Sequence, residues 1–186
     1  RTIMGLLQSK VRTPPRRVVM VGLDSAGKST ILYQLQKSSK SEVTPVPIIG
    51  LNIDTLTYND LNLNVWDVGG RVNTYRFFRH FYTDVGAVVF VVDSNDRETF
   101  SYAKEHLEKL LAALYKENQK ALPLLIYANK QDLPCALSVS EISSQLELDR
   151  YRMEVSAWNI QPCCAVTKDG IHDGLYWLSS QLNETD

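Results

Sequence analysis

A run of eight residues near the start of the chain restricts its fold more than any other feature. Residues 22–29 read Gly-Leu-Asp-Ser-Ala-Gly-Lys-Ser and fit the phosphate-binding loop pattern G-x-x-x-x-G-K-[S/T]. That loop works only between a β-strand and the start of an α-helix. A β-branched run precedes it at residues 17–21, and a helical pattern follows from residue 28. The sequence therefore predicts an α/β domain that binds phosphate groups.

Each residue type in this loop has a physical role in holding phosphate. Glycine lets the backbone curl around the anion, and amide groups near the start of the helix point towards it. The ammonium group of Lys28 neutralises the outer phosphates, and the Ser29 hydroxyl can ligate Mg²⁺. The residues predicted to surround the phosphates are Asp24, Ser25, Ala26, Gly27, Lys28, Ser29 and Thr30.

Strand-like and helical runs alternate along the rest of the chain, a pattern typical of βαβ units and a mostly parallel sheet. Asn59 and Asp60 form a turn that makes an antiparallel edge hairpin, and Pro45 and Pro47 indicate a loop. The prediction is a sheet of about six strands flanked by about five helices. Strands are predicted at 17–22, 51–58, 61–68, 87–93, 122–129 and 160–165, and helices at 28–36, 97–116, 140–146 and 171–182.

The size and composition of the chain exclude several classes of protein. Its 186 residues suit one globular domain, which we place at residues 17–186 after a tail at residues 1–16. A net charge of -1 gives no general attraction to nucleic acid. Three cysteines without CxxC spacing favour a reducing, cytoplasmic setting. No apolar run approaches the roughly 20 residues that span a bilayer.

A second motif is predicted to sense the metal and the terminal phosphate. Asp67 closes a hydrophobic run and precedes Gly69 and Gly70. A carboxylate at the end of a strand reaches the metal in P-loop proteins, usually through water. The Gly70 amide could then contact the terminal phosphate. Alone, Asp-x-Gly-Gly is an ordinary turn, but after a P-loop it indicates a nucleotide sensor.

A third motif is predicted to recognise the base. Asn129, Lys130 and Asp132 follow the strand-like run at residues 122–128, and open α/β sheets bind ligands at the carboxyl ends of their strands. The Asp132 carboxylate can accept hydrogen bonds from the N1–H and 2-amino groups of guanine, a donor pair that adenine lacks. The stem of Lys130 would lie along the base, and Asn129 would tie this loop to the P-loop.

With these motifs in order, the chain resembles the Arf and Arf-like GTPases of the Ras superfamily over residues 17–182. The resemblance implies a Ras-like G domain that binds GTP, GDP and Mg²⁺ as a monomer. It also assigns the remaining guanine loop to Cys164, Ala165 and Val166, with the Ala165 amide near the base oxygen. The strings that carry it are Gly-Leu-Asp-Ser-Ala-Gly-Lys-Ser at 22–29, Trp-Asp-Val-Gly-Gly at 66–70, Val-Asp-Ser-Asn-Asp-Arg at 92–97, Ala-Asn-Lys-Gln-Asp at 128–132 and Gly-Leu-Tyr-Trp-Leu at 174–178.

The family resemblance further implies a switch and its partners. The hairpin at residues 51–68 is expected to slip by two residues when GTP replaces GDP, which keeps each side chain on its own face of the sheet. Leu51, Trp66 and Phe81 align with a hydrophobic triad that the family uses to read partners. The expected partners are a guanine-nucleotide exchange factor, a GTPase-activating protein and effectors, acting in membrane traffic.

Two residues depart from the family pattern where hydrolysis and switching are concerned. Arg71 stands where a glutamine orients the attacking water, and a guanidinium group has donors only. We expect slow intrinsic hydrolysis with Arg71 solvated; the alternative is that Arg71 acts in cis on the transition-state charge, beside Lys28 and Gly70. Ile48 stands where a threonine ligates Mg²⁺. Either Thr44 replaces that ligand or the loop leaves the metal unclosed.

The N-terminal tail carries a lipidation pattern. If Met4 is the natural start, the run Met-Gly-Leu-Leu-Gln-Ser at residues 4–9 fits N-myristoylation of Gly5. One acyl chain anchors a protein only marginally, so basic residues of the tail would add an electrostatic contribution. The resemblance then implies peripheral attachment to Golgi or other endomembranes.

Two functions remain open: a nucleotide-dependent switch, or a nucleotide-binding pseudo-GTPase that is a constitutive docking module.

Overall fold

The computed structural model describes residues 16–39, 44–48, 51–59, 61–67 and 82–184, with the backbone alone for residues 39, 44–48, 51–53, 66 and 67. Seven strands form one sheet in the order β2-β3-β4-β1-β5-β6-β7. The strands are β1 Arg16–Gly22, β2 Thr44–Ile48, β3 Leu51–Tyr58, β4 Leu61–Asp67, β5 Ala87–Asp93, β6 Leu122–Asn129 and β7 Val155–Pro162. The helices are α1 Lys28–Ser39, α2 Phe100–Asn118, α3 Val139–Leu146 and α4 Ile171–Asn183, with a 3₁₀ turn at Leu148–Arg150.

The sheet is parallel through its centre and antiparallel at one edge. Strands β4, β1, β5, β6 and β7 run parallel to one another, whereas β3 pairs antiparallel with both β2 and β4. The predicted hairpin is present, with Tyr58 paired to Leu61. The predicted α/β class, the mostly parallel sheet and the antiparallel edge are therefore confirmed.

One segment differs from its prediction. Residues 44–48, expected to be a loop because of Pro45 and Pro47, form the edge strand β2. Proline cannot donate to the hydrogen-bond ladder, which confines it to edge strands and strand starts but does not exclude it from them. The sheet consequently has one strand more than the sequence predicted. The last strand, β7, also begins earlier than the predicted residue 160. Its buried and exposed positions are mixed, so its first residues show no clear strand pattern in the sequence.

Two apolar layers cover the sheet. Helix α2 and helix α3 pack on one face. The apolar residues of α2 recur at helical spacing and form a buried stripe: Phe100, Ala103, Leu107, Leu110, Leu111 and Leu114. Helices α1 and α4 pack on the other face, where Leu175, Leu178 and Leu182 of α4 are buried. Strand β5 lies between β1 and β6 and is buried along nearly its whole length. Among the described residues, no helix is both long and apolar enough to cross a membrane.

Candidate nucleotide-binding site

The carboxyl ends of β1, β5, β6 and β7 lie side by side, and their following loops form one site. Gly22 at the end of β1 pairs with Val91 of β5, and Asp93 at the end of β5 pairs with Asn129 of β6. Ala128 in turn pairs with Pro162 at the end of β7. The phosphate loop, the base loop and residues 163–166 are thus brought to one edge of the sheet.

The phosphate loop has the backbone that its sequence predicted. Gly27 adopts φ +103°, and Ser25 adopts φ 62° in the left-handed region. Such turns direct successive N–H groups into a concave anion site. Helix α1 begins at Lys28, and the N–H groups of a helix's first turn have no carbonyl partner within it. The loop therefore presents backbone donors where the phosphates are expected.

The ammonium group of Lys28 hydrogen-bonds to carbonyl groups of its own loop. Its side chain is 3% exposed, and Nζ donates to the carbonyl oxygens of Gly22 and Leu23, both at 3.0 Å. Bound phosphate would offer this ammonium group a charged acceptor in their place. Ser29 and Thr30 lie exposed in the first turn of α1. The Ser29 hydroxyl is therefore accessible to a metal ion.

Asn129 joins the base loop to the phosphate loop. Its side chain is 1% exposed, and Nδ2 donates to the Ala26 carbonyl oxygen at 2.8 Å. Its Oδ1 accepts the Ala165 N–H at 2.9 Å and lies 3.7 Å from the Cys163 thiol. The sequence predicted the link to the P-loop, and the structure adds the link to the 163–166 loop. One buried amide thus holds three loops together.

The Ala165 amide has a partner that the family resemblance did not suggest. Its N–H donates to Asn129, so a guanine carbonyl oxygen would have to share this donor. Val166, two residues beyond Cys164, is 73% exposed, and its carbonyl oxygen accepts from Gln34 Nε2 at 3.4 Å. The loop is therefore anchored to α1 through backbone while the Val166 side chain faces solvent.

The remaining base-loop residues are each held by a neighbouring strand end. Lys130 adopts φ 66°, and its Nζ lies 2.6 Å from Asp93 Oδ2. Gln131 Nε2 donates to Ser94 Oγ at 2.9 Å. Asp132 is exposed, and its Oδ1 accepts the Cys164 thiol at 3.2 Å. The Cys164 thiol thus helps to orient the carboxylate that would read guanine.

Burial shifts the pKa of two side chains near the site, His106 and Cys163. Burial, assisted by the positive charges of Lys28 and Lys109, lowers the pKa of His106 to about 4, against a smaller opposing effect of Asp24. His106 is therefore neutral at pH 7, and its ring meets Phe90 edge-on at 5.9 Å. Burial raises the pKa of Cys163 to about 12, with a smaller contribution from Cys164. This thiol is therefore protonated and can donate towards Asn129.

The structure describes the remaining predicted site residues only in part. Asp67 ends β4 next to β1, which places its backbone at the same sheet edge. Thr44 pairs with Thr55, at the opposite end of β2 from Ile48. Gly5, Gly70, Arg71 and Phe81 lie outside the described residues, as do the side chains of Leu51 and Trp66.

Sequence reasoning did not assign roles to Asp93, Ser94, Cys163 or His106. Asp93 and Ser94 stand at the carboxyl end of a buried strand, which indicates a ligand site but not a contact with the base loop. Cys163 directly precedes the assigned loop residues. His106 lies on α2, and no local pattern marks its proximity to the charges of Lys28 and Asp24.

The fold and these contacts define a P-loop nucleotide-binding protein of the Ras-like α/β type. A family model described as the ADP-ribosylation factor family matches residues 2–182, which is nearly the whole chain. The chain belongs to the Arf family. It is accordingly a small GTPase of the GTP-binding switch class.

Proposed function

We propose that this protein binds GTP and GDP together with Mg²⁺ and acts as a membrane-associated switch with slow intrinsic hydrolysis. The observation that supports the proposal is the hydrogen bond from Asn129 Nδ2 to the Ala26 carbonyl oxygen, which joins the loop after β6 to the loop after β1. The Asp132 carboxylate supplies guanine selection, because adenine would leave it without its two donors.

The residues around the phosphate loop fit the expected metal. Ser29 is exposed at the start of α1, and Asp67 ends the strand next to β1. A hydroxyl and a carboxylate are oxygen donors, the type that Mg²⁺ prefers. When bound, Mg²⁺ would neutralise charge on the outer phosphates. Lys28 would turn from its two carbonyl partners to the same oxygens.

Switching is proposed to involve the antiparallel edge of the sheet. Strands β2, β3 and β4 form a continuous ladder that ends beside the phosphate loop at Asp67. Gly70 follows closely and would contact the terminal phosphate only when GTP is present. That contact would favour a different register of this edge in the GTP state. Thr44 as a metal ligand belongs to that second arrangement.

Hydrolysis is proposed to be slow because of Arg71 and Ile48. Arginine cannot accept a hydrogen bond from the attacking water, and an isoleucine side chain cannot ligate Mg²⁺. The protein would therefore stay GTP-bound until a GTPase-activating protein acts, and it would recruit effectors meanwhile. Myristoylation of Gly5 and the basic tail would hold it at an endomembrane surface. Exchange factors would reload it.

The alternative is a constitutive docking module in which the nucleotide is only a structural cofactor. The same two substitutions, Arg71 and Ile48, favour it. Hydrogen exchange separates the two: the switch requires different amide protection in β2 and β4 with GDP and with a non-hydrolysable GTP analogue. Equal protection in both states would establish the docking module.

Single-turnover hydrolysis of bound GTP with Mg²⁺ tests the catalytic part. We expect slow phosphate release from the parent and faster release from Arg71→Gln. Arg152→Gln is the matched control, because Arg152 lies exposed near the start of β7, remote from the phosphate loop. A parent that hydrolyses as fast as Arg71→Gln, or faster, would show that Arg71 acts in cis on the transition state.

A further inference from the structure

We propose that Asp93 is a positioning residue for the nucleotide: it holds Lys130 so that the aliphatic stem of this lysine lies against the base. The inference rests on the proposed guanine-nucleotide binding and deepens it. Asp93 Oδ2 lies 2.6 Å from Lys130 Nζ, and Asp93 Oδ1 accepts the Asn95 N–H at 3.0 Å. Both oxygens of the carboxylate are therefore occupied in a fixed orientation.

The pair is placed where it can act on a ligand. Asp93 ends β5 and pairs with Asn129, the residue that leads into the base loop. The side chains of Lys130 and Asp93 are 33% and 20% exposed, so the ion pair is partly shielded from water. Partial burial makes a charge pair stronger than a fully solvated one. The stem of Lys130 can face the ligand while its head stays bound to protein.

Holding the Lys130 side chain in one conformation should raise the affinity for nucleotide, because this side chain is otherwise flexible. A lysine stem has four rotatable bonds, and ordering it costs conformational entropy. The contact with Asp93 orders the stem from within the protein, so the nucleotide would not have to do so. Preorganisation of this kind raises affinity without adding any contact to the ligand.

Ser94, next to Asp93, also contacts the base loop, but it contacts different groups there. Ser94 is completely buried; its N–H donates to the Asn129 carbonyl oxygen at 2.9 Å and its Oγ accepts from Gln131. Ser94 therefore supports the backbone of the base loop. Asp93 contacts this loop's lysine ammonium group instead. Its effect on the nucleotide should accordingly depend on Lys130.

The test is the dissociation rate of a fluorescent GDP from the full chain with Mg²⁺, in a double-mutant cycle. We expect Asp93→Asn to release the nucleotide about tenfold faster than the parent. In the Lys130→Met background the same substitution should change the rate by less than about twofold, since its partner is gone. The unfolding midpoint of nucleotide-free Asp93→Asn should stay near that of the parent, because asparagine still accepts from the Asn95 N–H.

Asp96→Asn is the matched control, because Asp96 lies three residues on and accepts the Thr99 N–H at 3.3 Å. It should leave the dissociation rate unchanged. An unchanged rate in Asp93→Asn, or an equal acceleration with Lys130 and with Met at position 130, would overturn the inference while leaving guanine binding intact. A parent that binds no fluorescent GDP would instead contradict the proposed function, and the inference with it.

Discussion

The side-chain amide of Asn129 donates a hydrogen bond of 2.8 Å to the backbone carbonyl oxygen of Ala26, 103 positions earlier in the chain. Asn129 ends β6, and Ala26 lies in the loop after β1. The same amide accepts the N–H of Ala165 after β7. Because a buried amide of this kind has no water to replace a lost partner, the three loops are held as one unit.

Removing this amide should weaken both stability and nucleotide binding. Asn129→Ala leaves the Ala26 carbonyl oxygen and the Ala165 N–H without their partner inside the protein. We expect a loss of about 2 to 3 kcal/mol in the free energy of unfolding, measured by urea denaturation, together with weaker GDP binding. Asn159→Ala on the edge strand β7 is the control. Equal losses in the two variants would contradict the special role of Asn129.

Gly27 should not tolerate even a methyl group. A Cβ there would lie 2.1 Å from Asn129 Nδ2, and φ +103° is unfavourable for any other residue. We expect Gly27→Ala to lose about 3 kcal/mol of stability and to displace Asn129. Gly86→Ala provides the comparison, because its Cβ would meet only ordinary contacts of 3.4 Å or more. In thermal unfolding, Gly27→Ala should therefore have a much lower midpoint temperature than Gly86→Ala.

Acid should destabilise the fold through His106. Its pKa is lowered from 6.5 to about 4 in the folded protein. Between these values the unfolded chain binds a proton that the folded chain does not, so the free energy of unfolding falls as the pH drops from about 6.5 and levels off below about 4. The total contribution is at most about 3 kcal/mol.

Urea denaturation at pH 7 and pH 5 measures this contribution. The difference between the two pH values should shrink in His106→Gln, which has no titrating group at this position. It should persist in His172→Gln, because His172 lies exposed at the start of α4. An undiminished difference in His106→Gln would show that other groups cause the acid sensitivity.

The three cysteines should differ in reactivity. Cys135 is exposed, whereas Cys163 and Cys164 are buried, and burial keeps the Cys163 thiol protonated by raising its pKa to about 12. Since thiolate is the reactive form, native protein treated with iodoacetamide at pH 7.5 should gain one adduct, located at Cys135 by mass spectrometry. Unfolding in urea should expose the other two. Rapid labelling of Cys163 in the native state would contradict its burial.

The parts of the fold that were predictable from sequence rest on local patterns. The strand at 87–93 is a continuous apolar run, and the stripe on α2 repeats at helical spacing, so both could be assigned without tertiary information. The P-loop and base loop could be assigned because glycine, lysine, asparagine and aspartate occur there in orders that phosphate and guanine recognition require. Their meeting at one edge followed from parallel strands.

The parts that were missed depend on distant partners. Proline favours a loop locally, yet β2 forms because β3 offers an edge to which it can pair. Asp93 appears in sequence as the last residue of a strand, and only the pairing of β5 with β6 brings it to Lys130. The lowered pKa of His106 arises from burial and from charges on other elements. No local pattern carries such information.

A competition experiment is the most direct test of whether the site binds guanine nucleotides selectively. Fluorescent GDP bound to the protein with Mg²⁺ would be displaced by unlabelled GDP, GTP or ATP, for the parent and for Asp132→Asn. We expect GDP and GTP to compete at concentrations at least about a thousandfold below ATP, and Asp132→Asn to lose this preference. Equal competition by ATP and GTP in the parent, or no binding of guanine nucleotide, would contradict it.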